Sequence, residues 1–220
     1  GVRLDGSSTL ITSVDGAIQI TGTGGAGTGD RNQGVFITSG AVVSSTATGT
    51  NAAMITIMGT GAAGTNTNDG VEITGTDTAV TTKDGAVMIT GQAGAGSANS
   101  NHGVLISDAA IVASTGLGTD AGTITIMGTG GAGTQFNDGV LIRNSGTEVR
   151  AIDGAIQITG QGGSGASGSH RGLVIGSSVT VRSSGTGTDA ATITIIGTCG
   201  SGGDNDHGVD VQGIITSDEG

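Results

Sequence analysis

Asp15-Gly16-Ala17-Ile18-Gln19-Ile20-Thr21-Gly22 has two further copies in this chain, one identical and one with two changes. It returns as Asp84-Gly85-Ala86-Val87-Met88-Ile89-Thr90-Gly91 and as Asp153-Gly154-Ala155-Ile156-Gln157-Ile158-Thr159-Gly160, 69 residues later each time. Ile18 and Ile20 alternate with Gln19 and Thr21, the period of a strand with one buried face. The Asp-Gly pair in front suits a tight corner, because glycine accepts positive φ and aspartate can bond its own backbone.

The octet belongs to a longer unit. A Gly-apolar-x-apolar tetrad recurs at Gly1, Gly34, Gly70, Gly103, Gly139, Gly172 and Gly208, at spacings that alternate between 33 and 36 residues. Each unit holds three short strand-like runs. The first is the tetrad, such as Gly34-Val35-Phe36-Ile37. The second is weaker, such as Ala41-Val42-Val43-Ser44. The third is the octet, which in the longer units becomes Met54-Ile55-Thr56-Ile57-Met58-Gly59 and its copies ending at Gly128 and Gly197. An extra loop before the third run is read as the source of the length difference: Thr48-Gly49-Thr50-Asn51, Gly118-Thr119-Asp120 and Gly187-Thr188-Asp189. After the third run comes a Gly-rich excursion, such as Thr23-Gly24-Gly25-Ala26-Gly27-Thr28-Gly29-Asp30.

Three runs and three corners at a constant repeat predict an all-β, right-handed parallel β-solenoid (a β-helix). It has three strands per coil and alternating 33- and 36-residue coils. Residues 1–220 form one solenoid segment, with coils starting at 1, 34, 70, 103, 139, 172 and 208, and are expected to belong to a longer repeat array. Stacking in register places Ile20, Ile57, Ile89, Ile126, Ile158 and Ile195 in one core column, and Ile37, Ile73, Ile106, Ile142 and Ile175 in another. An antiparallel sandwich gives no reason for such regular spacing.

Composition agrees. There are 47 glycines in 220 residues, far above the usual share of about 7%. Abundant Ile, Val and Thr point to strands joined by glycine turns rather than to disorder. The net charge of −11, with 7 Lys plus Arg, disfavours nucleic acid and anionic membrane surfaces. A lone cysteine, Cys199, forms no disulfide within the chain, and no 18-residue apolar run exists to cross a membrane as a helix.

Tandem units ending in Ile-Thr-Gly-x-Gly-Gly-x-Gly, as at Ile20–Gly27 and Ile158–Gly165, followed by Gly-Val-x-Ile, resemble the repeats of filamentous-haemagglutinin-like and autotransporter-type bacterial surface proteins. They are similar too to giant β-strand-repeat proteins. The resemblance implies an extracellular, cell-surface location and a structural or adhesive role in a fibre or stalk. It carries over no site residue.

Chemical candidates are few. No Trp or Tyr is present to stack sugar, the acids stand singly, and no nucleophile-base pattern is spelled, so the chain is read as no enzyme. No cofactor is called for, though calcium is the one ion the loops could take. Its candidate ligands are Asn68, Asp69, Asn137, Asp138, Asp204 and Asp206, giving the alternative of a calcium-binding extracellular matrix or surface-layer module. Phe36, Met58, Met88, Leu105, Met127, Leu141, Val174 and Ile196 all point out of the predicted coil. Such apolar stripes mark either lateral contact with another copy of the fibre or surfaces covered by the Gly-rich excursions. The expected partners are therefore further repeats of the same chain and laterally associated copies, with no nucleic acid and no membrane insertion.

Overall fold

Short runs of β-branched residues bounded by glycine can bury one face only if a like run lies beside them. The chain supplies that neighbour every 33 or 36 residues. The computed structural model describes residues 1–185 and 191–218. Among them the chain is all-β apart from one 3-10 turn at Gly118–Asp120.

Three parallel sheets wrap the core. Sheet A stacks seven strands: Val2–Asp5, Val35–Thr38, Val71–Thr74, Val104–Ser107, Val140–Arg143, Leu173–Ile175 and Val209–Val211. Sheet B stacks seven: Leu10–Ser13, Val42–Ser45, Ala79–Thr82, Ile111–Ser114, Glu148–Ala151, Thr180–Ser183 and Ile214–Ser217. Sheet C stacks six: Ile18–Thr23, Ile55–Thr60, Val87–Gln92, Ile124–Thr129, Ile156–Gln161 and Ile193–Thr198. Neighbours in each sheet lie one coil apart, so the molecule is a parallel β-solenoid of about six turns. The tetrad, the second run and the octet are the strands of sheets A, B and C.

Register follows the repeat. Ile20 pairs with Ile57, Ile57 with Ile89, and Ile89 with Ile126. Ile37, Ile73, Ile106, Ile142 and Ile175 run in register through sheet A. Both predicted columns are buried in one core, with Ile195 partly so. Sheet B adds Val43, Val80, Val112, Val149 and Val181. Each fully buried aliphatic side chain contributes about 1.5–3 kcal/mol.

The core is narrow because sheets A and C close on glycine. A Cβ on Gly91 would lie 1.9 Å from the carbonyl oxygen of Gly103, and one on Gly128 would lie 2.1 Å from that of Gly139. The octet's final glycine is therefore required by backbone approach.

Two details differ from the sequence reading. From strand start to strand start, the 33-residue coil takes 8, 8 and 17 residues (Val2, Leu10, Ile18, Val35). The 36-residue coil takes 7, 13 and 16 (Val35, Val42, Ile55, Val71). The loop before sheet C is thus five residues longer, and the other two corners give back one residue each. The copy Gly187-Thr188-Asp189 lies outside the described residues. Secondly, Gly85 and Gly154 of the Asp-Gly corners are not among the positive-φ glycines. They are needed because a Cβ would strike the carbonyl of Ala53 or of Gly122 in the preceding coil, at 2.1 and 2.2 Å. The aspartate also reaches outward rather than to its own turn. Asp84 accepts from the Gly49 N–H (2.8 Å) and Asp153 from the Gly118 N–H (2.6 Å). The short coils that start at 70 and 139 thereby pin the long loop of the coil before them.

Candidate functional site

The excursions that join sheet C to sheet A are ordered. They stack on one another through bonds such as Gly64 N–H to Ala95 O and Gly96 N–H to Ala132 O, and through the short pair Ala132–Gly133 with Ser164–Gly165. Their interior is a ladder of amides. Asn68 Oδ1 accepts from the Asn32 N–H (3.3 Å) and from Asn32 Nδ2 (3.2 Å). Asn101 Oδ1 accepts likewise from Asn68, and Asn137 Oδ1 from Asn101. His170 takes the next rung, its Nδ1 facing the Asn137 N–H at 3.4 Å, and Asp206 Oδ1 accepts from the His170 N–H at 2.6 Å.

A second column runs beside the first, one residue later in each coil: Gln33, Asp69, His102, Asp138 and Arg171. Asp69 Oδ1 accepts from the His102 N–H (2.6 Å), while its Oδ2 is buried without a partner. His102 Nδ1 faces the Asp138 N–H at 3.3 Å. The Arg171 guanidinium grips both oxygens of buried Asp138, at 3.1 and 3.0 Å. Burial above all lowers the His102 pKa to about 4; Arg143 and Arg171 push the same way and Asp138 opposes. Burial, aided by Glu72, raises Asp69 well above the ordinary carboxylate range.

These two columns account for five of the six calcium candidates. Asn68, Asn137 and Asp206 are rungs of the first; Asp69 and Asp138 belong to the second. Asp204 stands apart and exposed. Except for Asp69 Oδ2, the acceptor oxygens named here already receive hydrogen bonds. Among the described residues no three of His, Cys, Asp and Glu gather as a metal ligand set. Sequence reading found the residues but not this use, because inter-coil bonding of an Asn column shows only once the register is fixed.

The outward stripes divide. On sheet A the outer column reads Arg3, Phe36, Glu72, Leu105, Leu141, Val174 and Asp210. Leu105, Leu141 and Val174 are buried as a small cluster of their own, which for these three is the covered alternative of the two and not a free lateral contact. The excursion ends lie over this face: Gln33 bonds Glu72, and Arg171 reaches Asp210 at 3.1 Å. Phe36 is half-buried, with the Arg3 guanidinium 5.5 Å from its ring centre. On sheet C no comparable side-chain bridge folds over the outer column among the described residues. Met58 and Met88 are half-buried, and Met127 and Ile196 are 37% and 45% exposed.

Between the excursions and the sheet A–B turns runs a groove of about 580 Å³. Leu141 and Val174 lie along it with Phe136, Arg143, Asn144, Ser177 and Arg171. Phe136 stands three residues before the tetrad glycine, where Arg31, Thr67, Ser100 and Asn205 also adopt positive φ; its own φ is 56°. A bulky side chain there is strained. Sequence reading passed over Phe136 and Arg143. The usable signal was that both phenylalanines sit at the outer column or at the excursion tip.

His207 is exposed, and Cys199 is a free, exposed thiol. No family model, curated relative or solved structure matches the chain. Its function is therefore drawn from its own geometry.

Proposed function

We propose that the chain is a non-enzymatic structural and adhesive segment of a secreted bacterial cell-surface fibre or adhesin stalk. One observation carries the reading: three parallel sheets run in register through all six complete coils. A solenoid of this kind is a quasi-one-dimensional rod in which each coil contacts only its neighbours. Its stiffness comes from coil-on-coil backbone bonds, and its net charge of −11 keeps like rods apart in solution. The resemblance in repeat style supports the surface location.

Negative-stain microscopy of the native material, with antibody labelling of intact source cells, tests this. Rods on labelled cell surfaces are expected. Discrete globules, or labelling only after lysis, would overturn it. The calcium-module reading gains no support from the ladder oxygens, which already accept hydrogen bonds. A melting temperature that is the same in calcium and in chelator is the expected result.

A further inference from the structure

We propose that the outer groove of sheet A is a binding site for an acidic sugar residue, a pyranose that carries a carboxylate. The inference rests on the adhesive part of the reading above and supplies its ligand class.

Charge is the first ground. In a chain of net charge −11, this groove is lined by Arg143 and Arg171 against Asp138, with Asp108 and Asp210 at its edge, where they bond Asn144 and Arg171. Arg171 is already engaged by Asp138 and Asp210. Arg143 is exposed at the end of its strand and lies in none of the ion pairs found among the described residues. Its charge acts on Asp69, Glu72 and Asp108 without a direct bond to any of them, and a guanidinium fork free of direct partners matches a carboxylate through two parallel hydrogen bonds. Gly176, the next coil's counterpart of Arg143, carries no side chain to fill the space beside it.

Shape and surface are the second. Phe136 lines the groove, 41% exposed, on left-handed backbone. The left-handed conformation belongs to this corner in other coils too, at Arg31, Thr67, Ser100 and Asn205, so the fold sets it, and only here does it carry an aromatic ring beside the groove. The Phe136 ring offers a flat surface to the C–H face of a pyranose, above a floor of Leu141 and Val174 that is itself buried. Ser177 and the side-chain carbonyl of Asn144 offer hydrogen-bonding groups to ring hydroxyls, the Asn144 amide nitrogen already donating to Asp108. The volume lies within the usual range for small-ligand sites.

Arginine and phenylalanine also meet elsewhere on this face, where the Arg3 guanidinium is paired with Asp5 and lies over the Phe36 ring. A second groove of about 270 Å³ on the same face is lined by Arg3, Arg31 and Phe36. Both phenylalanines of the chain and four of its arginines thus line grooves on sheet A. A long polyanion would feel the repulsion of the whole acidic rod. A single carboxylate on a neutral glycan meets only the local field.

The test is a titration of the ¹⁵N-labelled chain followed by amide chemical shifts, with sodium glucuronate, glucose and benzoate as probes. Glucuronate should move the amides of Phe136, Asn144 and Ser177 saturably. Glucose, lacking the charge-assisted pair, should bind about tenfold or more weakly. Benzoate, which leaves the hydroxyl partners unmet, should also bind more weakly than glucuronate. Arg143→Gln should cost glucuronate a comparable factor and leave glucose unchanged. Glucose equal to glucuronate, benzoate at least as tight, shifts elsewhere on the molecule, or no saturation would each overturn the proposal. The discrimination between probes is read on the unaltered chain, so it stands whether or not a variant folds. A flat titration would leave rods in the micrographs untouched, and missing rods would leave a specific titration untouched.

Discussion

His102 and Asp69 sit one coil apart in the same column and respond to pH in opposite senses. Folded His102 takes a proton only near pH 4, against an ordinary value of 6.5. Between these values the unfolded chain binds more protons, so stability falls as pH drops from about 6.5 to about 4. The loss amounts to roughly 3 kcal/mol at most. His102→Gln, which places in this column the residue found at Gln33, should flatten that acid limb in thermal melts. Folded Asp69 holds its proton above the ordinary 3.8, so its contribution weakens as pH rises from there. Asp69→Asn should raise the melting temperature at pH 8 and leave it unchanged at pH 3. Asn101 shows what the neighbouring column contributes. It accepts two bonds from Asn68 and donates to Asn137 and to the Ala132 carbonyl. Asn101→Leu strands buried donors on Asn68 at about 1–3 kcal/mol each, which denaturant titration will show as a lower midpoint.

At the scale of elements, each sheet is a set of columns, and each column was legible as a repeated letter. Ile126 lies at full burial between Ile89 and Ile158. Ile126→Ala should cost about 2–5 kcal/mol, as for other large-to-small core changes. Gly128→Ala should be worse than its size suggests, because the new Cβ meets the rigid backbone of Gly139 rather than a side chain that can turn. The corners are where letters misled. Asp-Gly reads as a self-contained turn, yet Asp153 accepts from Gly118 at the edge of the 3-10 turn one coil earlier. Asp153→Ala should leave the sheets intact and speed hydrogen exchange at Gly118 and its neighbours. A loop bond of this kind is worth about 1–3 kcal/mol.

For the whole molecule, the alternation of 33 and 36 residues is an interlock rather than a decoration. A long loop of one coil is pinned by the short corner of the next, at Asp84 and again at Asp153. Stability should therefore fall along the rod in units of coil pairs. Disrupting one pin should leave distant coils as protected from exchange as before, since each coil touches only its neighbours. The outer faces differ in kind. Sheet A is overlaid by excursion ends and carries the groove, whereas sheet C exposes the apolar side chains of Met127 and Ile196.

The amino-acid sequence by itself determined the coil. Spacing fixed the register, alternation of apolar and polar residues fixed the faces, and register with faces fixed the core columns, because in a parallel stack like residues land on like. It did not determine what the excursions do. Their glycines and asparagines read as turns or as calcium loops, since nothing local says that an amide will bond the coil above it. Only the stacked backbone brings Asn32, Asn68, Asn101 and Asn137 within hydrogen-bonding reach of one another. Only that stack folds the excursion ends over Leu105, Leu141 and Val174 and sets Phe136 and Arg143 around one groove. Those contacts join residues some 33 to 36 positions apart, and their partners are decided by the stack.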